Sequence, residues 1–187
     1  MIKLYGGVKS RAAIVEWYLE ELQIPYEYIV LDLQAGEQTQ PDFLAINPMG
    51  KVPALTDGAL KLGESGAILL YLAQKYDPSY PKSLDQQAEI YQWIVFANAT
   101  LSQGIFLSDA LESNAERLLG PLNQILKNQE WIVGLTFSVV DVAIGSTLAY
   151  IPIALDLDLS SFPALLLYIN RLTERPAFIK SIGSRFS

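Results

Sequence analysis

The feature that most constrains this fold is a change of pattern at Asp77-Pro78-Ser79-Tyr80-Pro81-Lys82-Ser83. Before this proline-punctuated stretch, short runs of β-forming residues alternate with helix-spaced apolar runs. After it, no run reads as a strand. Residues 2–5 form an apolar strand stopped by Gly6-Gly7, and 10–23 carry helical spacing with Ser10 placed as N-cap. Pro25 ends that helix, 26–33 read as a second strand, 34–40 as loop and 41–46 as a short helix. Two strands over 52–56 and 59–62 flank Asp57-Gly58, a two-residue hairpin signal, and 65–76 form a helix with a broad apolar face. Beyond the linker the spacing predicts one long helix over 84–111 despite Gly104, and another over 114–128 with Pro121 as a kink or break. Helices over 138–151, 163–173 and 176–182 follow, each opened by a hydroxyl cap or a proline. The expected organisation is an α/β domain over 1–76, a linker over 77–83 and an all-α domain over 84–187.

Composition narrows the function classes. The chain has 187 residues, 51% apolar and 18% charged, enough for two packed cores. The net charge of −7 is spread evenly: six bases against nine acids in residues 1–76, seven against eleven in the remainder. Neither part offers a basic footprint, which argues against nucleic acid and anionic membranes as partners. Cysteine and histidine are absent, which removes disulfides, thiolate or imidazole metal sites, and cysteine or histidine nucleophiles and bases. No signal peptide is visible at the N-terminus, and the apolar stretch 139–155 is interrupted by Asp141 and Pro152. A cytoplasmic protein is the expectation.

Asn47-Pro48-Met49-Gly50-Lys51-Val52-Pro53-Ala54-Leu55, followed by Glu64-Ser65 at a helix start, reads as a device for holding a peptide. An X-Pro bond at a strand start is where a cis bond is cheap. A bend there leaves the Val52 N–H and C=O open to an extended ligand, a one-residue strand addition; the same residues also read as an ordinary turn proline. Ser65 in a first helical turn grips a carboxylate through its N–H and hydroxyl, helped by the helix dipole, while Glu64 faces an ammonium. Taken alone, the pair reads more readily as a plain cap. Ser10, beside Lys9 and Arg11 at a helix start, suits stabilisation of a thiolate, and Tyr5 is a rival hydroxyl. Ser138-Val139-Val140-Asp141 has capping-box spacing and belongs to folding.

Together these segments resemble the glutathione S-transferase superfamily over essentially the whole chain. The 47–55 segment is similar to the family's Asn-Pro-x-Gly-x-Val-Pro-x-Leu motif, Glu64-Ser65 to its Glu-Ser pair, and 138–141 to its capping box. The resemblance implies an α/β thioredoxin-like N-terminal domain followed by an all-α C-terminal domain. It implies that glutathione is co-substrate, that a small apolar electrophile is its target, and that no metal takes part. Val52 would pair with the cysteinyl residue, with Pro53 as the cis proline; Glu64 and Ser65 would hold the γ-glutamyl end, and Lys51 and Gln38 the glycyl carboxylate. Ser10, supported by Arg11, would stabilise the thiolate, with Tyr5 as the tyrosine-type alternative. The chain is compact, like bacterial members that include the cyanobacterial chi-type. It lacks the cysteine of reductase-like members. The second-substrate pocket is expected near Ser102, Ile105 and Phe106, and a homodimer is expected, with Met49 at a position some classes use for the interface.

Overall fold

The computed structural model describes residues 1–107, 111–155 and 157–185, with Leu111 and Glu112 described by backbone only. By packing, the chain forms two compact units. The first comprises Met1–Tyr80 together with the described residues from 176 onward, and the second is Pro81–Arg175. The stretch after 175 therefore groups with the α/β unit, whereas the sequence reading ran the helical domain on to 187.

In the first unit β1 (Ile2–Gly6), β2 (Tyr26–Val30), β3 (Ala54–Asp57) and β4 (Leu60–Gly63) form a mixed sheet of order β2-β1-β3-β4. β1 runs parallel to β2 and antiparallel to β3. Ile2 and Leu4 point to the buried face, as the period of two requires. That face packs on α1 (Ala12–Glu21) through β1 and on α3 (Ser65–Tyr76) through β3 and β4, and the buried residues of the two helices include Val15, Trp17, Leu19, Ile68, Leu69 and Leu72. Tyr5 alternates to the other face and lies 6.0 Å, centroid to centroid, from Phe43 of the short α2 (Pro41–Leu44). Gly6 permits the tight exit from β1: a Cβ there would stand 2.3 Å from the Ala12 Cβ and 2.4 Å from the Tyr28 hydroxyl.

Several boundaries differ from expectation for local reasons. β2 stops at Val30 because Asp32 turns the chain, its Oδ1 accepting from the N–H groups of Gln34 and Ala35. Within the expected 34–40 loop, Glu37–Thr39 form a 3₁₀ turn. β3 starts after Pro53, which has no N–H to donate. The hairpin loop is Gly58-Ala59, one residue beyond the expected pair, with Gly58 at φ +61. Asp57 joins the strand, opposite Leu60, and its carboxylate accepts from Tyr71 (2.7 Å), Tyr76 (2.5 Å) and Lys75 (2.6 Å) of α3. That cluster ties the C-terminal half of α3 to the hairpin. The final elements, α9 (Pro176–Lys180) and a 3₁₀ turn at Gly183–Arg185, pack on α1 through Phe178 edge-on to Trp17 at 5.0 Å and Lys180 to Glu20 at 2.7 Å.

The second unit is helical: α4 (Leu84–Val95), a π turn at Phe96–Leu101, α5 (Ser102–Phe106), α6 (Leu111–Leu126), α7 (Val139–Ala154) and α8 (Pro163–Thr173). The expected long helix is continuous over 84–106 but carries the π turn, beside which the Asn98 amide donates to the Ile94 carbonyl at 2.9 Å. Residues 108–110 of the expected helix lie outside the described residues. Pro121 does not break α6, which runs unbroken from Leu111 to Leu126. Ile105 is 1% exposed and belongs to the packed interior. The N-terminus of α8 is capped from α6, where Asn123 Oδ1 accepts from Ala164 and Leu165. No helix among the described residues is long and apolar enough to cross a membrane.

The capping box of α7 is complete: Ser138 Oγ accepts from the Val140 N–H and Asp141 accepts from the Ser138 N–H. Fully buried Asp141 also accepts from the Ile132 N–H (3.0 Å) and the Tyr168 hydroxyl (2.8 Å). Burial pushes its carboxyl up, opposed by these three donors and by the Ser138 hydroxyl at 3.1 Å. Asp141→Ala strands donors at 132, 138 and 168, of which Ile132 and Tyr168 are buried, so it should cost at least about 3 kcal/mol in urea unfolding; a cost below about 1 kcal/mol would contradict this.

Asp57 behaves in the opposite sense. The hydrogen bonds from Lys75, Tyr76 and Tyr71 hold its carboxyl well below the usual carboxylate range. A depressed folded-state pKa contributes stability above the unfolded-state value, and that contribution is lost as pH falls toward the folded-state value. Asp57→Asn should therefore flatten the fall of the urea midpoint between about pH 5 and about pH 2, and an acid limb identical to wild type would contradict this.

Candidate active site

Sheet register alone brings three loops to one end of the α/β unit. Tyr5, at the exit of β1, lies opposite Ala54 at the start of β3, and Ala54 lies opposite Gly63 at the end of β4. The segments just beyond these residues are 7–11, 51–53 and 64–65, which hold seven of the nine candidate site residues: Ser10, Arg11, Lys51, Val52, Pro53, Glu64 and Ser65.

The loop after β1 is organised by Ser10. Its Oγ accepts from the Gly7 N–H (3.1 Å) and the Ala12 N–H (3.3 Å) and donates to the Gly7 carbonyl (3.0 Å). The α-helix itself starts at Ala12, with Arg11 in the flanking position and no cap from the Arg11 side chain. Ser10 thus serves the first turn from one residue further out than expected, and its hydroxyl is held by its own loop.

Arg11 is exposed, and its Nη2 stands 3.5 Å from the Ser65 Oγ. The guanidinium therefore reaches across to the start of α3 and links the Ser10 loop to the Glu64-Ser65 segment. Glu64 occupies φ +62, ψ 117, an unfavourable conformation for a residue with a Cβ. Its side chain supplies no cap to this twelve-residue helix. Ser65 is 5% exposed, so a hydroxyl, a helix N-terminus and a guanidinium converge at a shielded spot suited to a carboxylate. Glu64 is exposed beside it and suits an ammonium.

The Val52–Pro53 peptide bond is cis, and Val52 lies outside the ladder, which begins at Ala54. The loop before it is shaped by buried Asn47, whose Nδ2 donates to the Lys51 carbonyl (2.7 Å) and whose Oδ1 accepts from the Met49 N–H (3.2 Å). The same side chain packs against Gly63, where a Cβ would stand 3.1 Å from Asn47 Nδ2. The sequence motif contains Asn47, but no role follows from its identity alone; its contacts supply one. Lys51 is exposed. Gln38 is nearby through its backbone, its carbonyl 3.2 Å from where a Gly50 Cβ would stand. Its Nε2 donates to the Leu33 carbonyl at 3.3 Å, and its Oε1 is buried with no partner among the described residues. Tyr5 packs on Phe43 and is separated in sequence from the Ser10 loop by Gly6 and Gly7.

Two further side chains converge on the Ser10 loop without any sequence signal. Tyr28, from β2, donates to the Gly7 carbonyl at 3.2 Å, and Arg185, from the far end of the chain, donates to the Gly7 and Val8 carbonyls at 3.2 and 2.9 Å.

Comparison with known proteins gives a consistent picture. A family model described as glutathione S-transferase, N-terminal domain, matches residues 1–74, and one described as glutathione S-transferase, C-terminal domain, matches residues 107–176. Glutathione S-transferase GstB of Escherichia coli (strain K12) is 35% identical over 204 residues, spanning 97% of this chain and 98% of that protein. Disulfide-bond oxidoreductase YfcG of the same organism is 30% identical over 199 residues, spanning 95% and 92%. Among solved structures, the glutathione transferase URE2P6 from Phanerochaete chrysosporium in complex with oxidized glutathione aligns with a TM-score of 0.85 at 29% identity, covering 98% of this chain and 96% of that one.

Proposed function

Because the chain belongs to the glutathione S-transferase family and is an enzyme of that family, we propose that its α/β unit binds glutathione and directs the thiolate at a small apolar electrophile. The observation that carries this reading is the convergence of the Ser10 loop, Val52 and the N-terminus of α3 at one end of the sheet. In this reading the γ-glutamyl carboxylate sits at Ser65 and the first-turn N–H groups, with Arg11 alongside, and Glu64 faces the ammonium. The backbone of Val52, presented by Pro53, pairs with the cysteinyl residue. Lys51 offers charge to the glycyl carboxylate, with Gln38 beside it.

Free glutathione resembles free cysteine, with a thiol pKa of about 8.5, so little is ionised at neutral pH. Lowering that by about two units needs about 2.7 kcal/mol of preferential thiolate stabilisation. The Ser10 hydroxyl supplies a donor, with the start of α1 and the Arg11 charge adding positive potential. The thiol proton leaves to solvent, the sulfur forms a bond to the electrophilic atom, and the leaving group departs with its electron pair. Ser10 is preferred over Tyr5 because it sits at the helix start, whereas the Tyr5 ring packs on Phe43. With no cysteine in the chain, every thiol step must use glutathione itself. The similarity to YfcG makes attack on a disulfide sulfur the second reading of the same site, and reduction of a hydroperoxide or isomerisation would use the same thiolate. A cytoplasmic homodimer belongs to this proposal, with Met49, 72% exposed, available as an interface side chain.

Immobilised glutathione should retain the protein, and Ser10→Ala should lower thiol conjugation at least about tenfold, while Tyr5→Phe stays active. A fully active Ser10→Ala with a dead Tyr5→Phe would overturn the assignment. Absence of binding at millimolar glutathione would favour a non-enzymatic module. A panel of isothiocyanates, aryl halides, hydroperoxides and disulfides identifies the electrophile class.

Glu64 offers a separate test. Glu64→Gly relieves the positive φ and should keep or raise the melting temperature, yet weaken glutathione about tenfold through loss of a charged hydrogen bond. A variant that loses stability but binds glutathione normally would show that Glu64 serves the fold.

A further inference from the structure

We propose that Arg185 is a positioning residue for the Ser10 hydroxyl, acting through the Gly7 carbonyl. The inference rests on the reading of Ser10 as the donor to the glutathione thiolate.

The Gly7 carbonyl oxygen has two lone pairs and three donors around it: Ser10 Oγ at 3.0 Å, the Tyr28 hydroxyl at 3.2 Å and Arg185 Nη1 at 3.2 Å. Arg185 and Tyr28 between them satisfy it, so the Ser10 proton can turn away without orphaning a carbonyl. The Ser10 oxygen, meanwhile, already accepts from the Gly7 and Ala12 N–H groups. A hydroxyl with its acceptor capacity taken up and its proton replaceable is set up to donate and not to act as a base. Arg185 supplies the replacement donor.

Its own placement is over-determined. Nη2 pairs with the Glu16 carboxylate of α1, the guanidinium lies 5.3 Å from the Tyr28 ring centre, and Nη1 also reaches the Val8 carbonyl at 2.9 Å. The Arg185 and Glu16 side chains are only 13% and 17% exposed. The 3₁₀ turn that carries Arg185 follows α9, which is itself fixed to α1 by Phe178 on Trp17 and Lys180 on Glu20. The chain end thus closes a fork over the backbone of the loop that presents Ser10.

The test compares the pH profile of kcat/KM for glutathione conjugation in wild type, Arg185→Gln, Arg185→Lys, Ser10→Ala and the Ser10→Ala/Arg185→Gln double variant, with thermal melting as a control for folding. Arg185→Gln should move the acid limb up by about one unit, which is about tenfold in kcat/KM on the acid side of both values and about threefold at neutral pH, with KM for glutathione little changed. Arg185→Lys keeps a charge for Glu16 but lacks the fork, so it should show a smaller shift in the same direction; it also reads the effect if the Gln variant does not fold. In the Ser10→Ala background the Arg185 substitution should add nothing to the profile. A lowered melting temperature with an unmoved acid limb, or a shift that persists without Ser10, would overturn the role of Arg185 while leaving Ser10 in place. An unaltered profile in Ser10→Ala itself would instead overturn the underlying reading of the site.

Discussion

The antiparallel register that sets Tyr5 against Ala54, and Ala54 against Gly63, is the constraint on which the site depends. β1 leaves the sheet where β3 enters and β4 leaves, so three chain segments with no sequence proximity emerge side by side. One carries a hydroxyl at a helix start, one a strand-like backbone outside the ladder, and one the N-terminus of a helix. A shift by one residue would turn Leu4 and Leu55, both fully buried, out of the core. The packing of the sheet therefore fixes the geometry of the site.

Around that register, the supporting interactions of Asn47, Arg185 and Tyr28 act on backbone, and those of Asp57 join side chains. Asn47 shapes the loop that presents Lys51 and Val52 through the Lys51 carbonyl and the Met49 N–H. Asp57 gathers Tyr71, Lys75 and Tyr76 and so holds α3 against the hairpin, at the opposite end of the helix from Ser65. Arg185 and Tyr28 meet on the Gly7 carbonyl. Polar side chains bonded to main-chain groups restrict the loops without adding bulk where a ligand would lie, and the conformation held at Glu64 fits the same pattern of order imposed from outside the site.

Much of this was legible in the sequence because it is local. The alternating strand and helix signals up to residue 76 and the helices after 83 come from periodicity, which depends on near neighbours. The Val-Pro and Glu-Ser segments each stood out, and their common location follows from topology as soon as the strands are ordered. The parts that were not legible depend on distant partners or on competition. The hairpin loop moved by one residue because Asp57 finds three donors on α3. Pro121, whose identity predicted a kink or break, sits inside an unbroken helix, and the π turn at Phe96–Leu101 has no clear compositional mark. Arg11 was expected to serve the thiol end alone, yet its guanidinium stands beside Ser65, 54 positions along the chain. Arg185 lies further from its target still, and nothing in the residues around it announces the Gly7 carbonyl.

In the proposed function, the α/β unit binds glutathione so as to ionise it. The most direct measurement is the thiol pKa of glutathione bound to the wild-type protein, followed by thiolate ultraviolet absorbance across a pH series. The expected value lies about two units below that of the free tripeptide. Saturable binding with the thiol titrating as it does in free solution would contradict it.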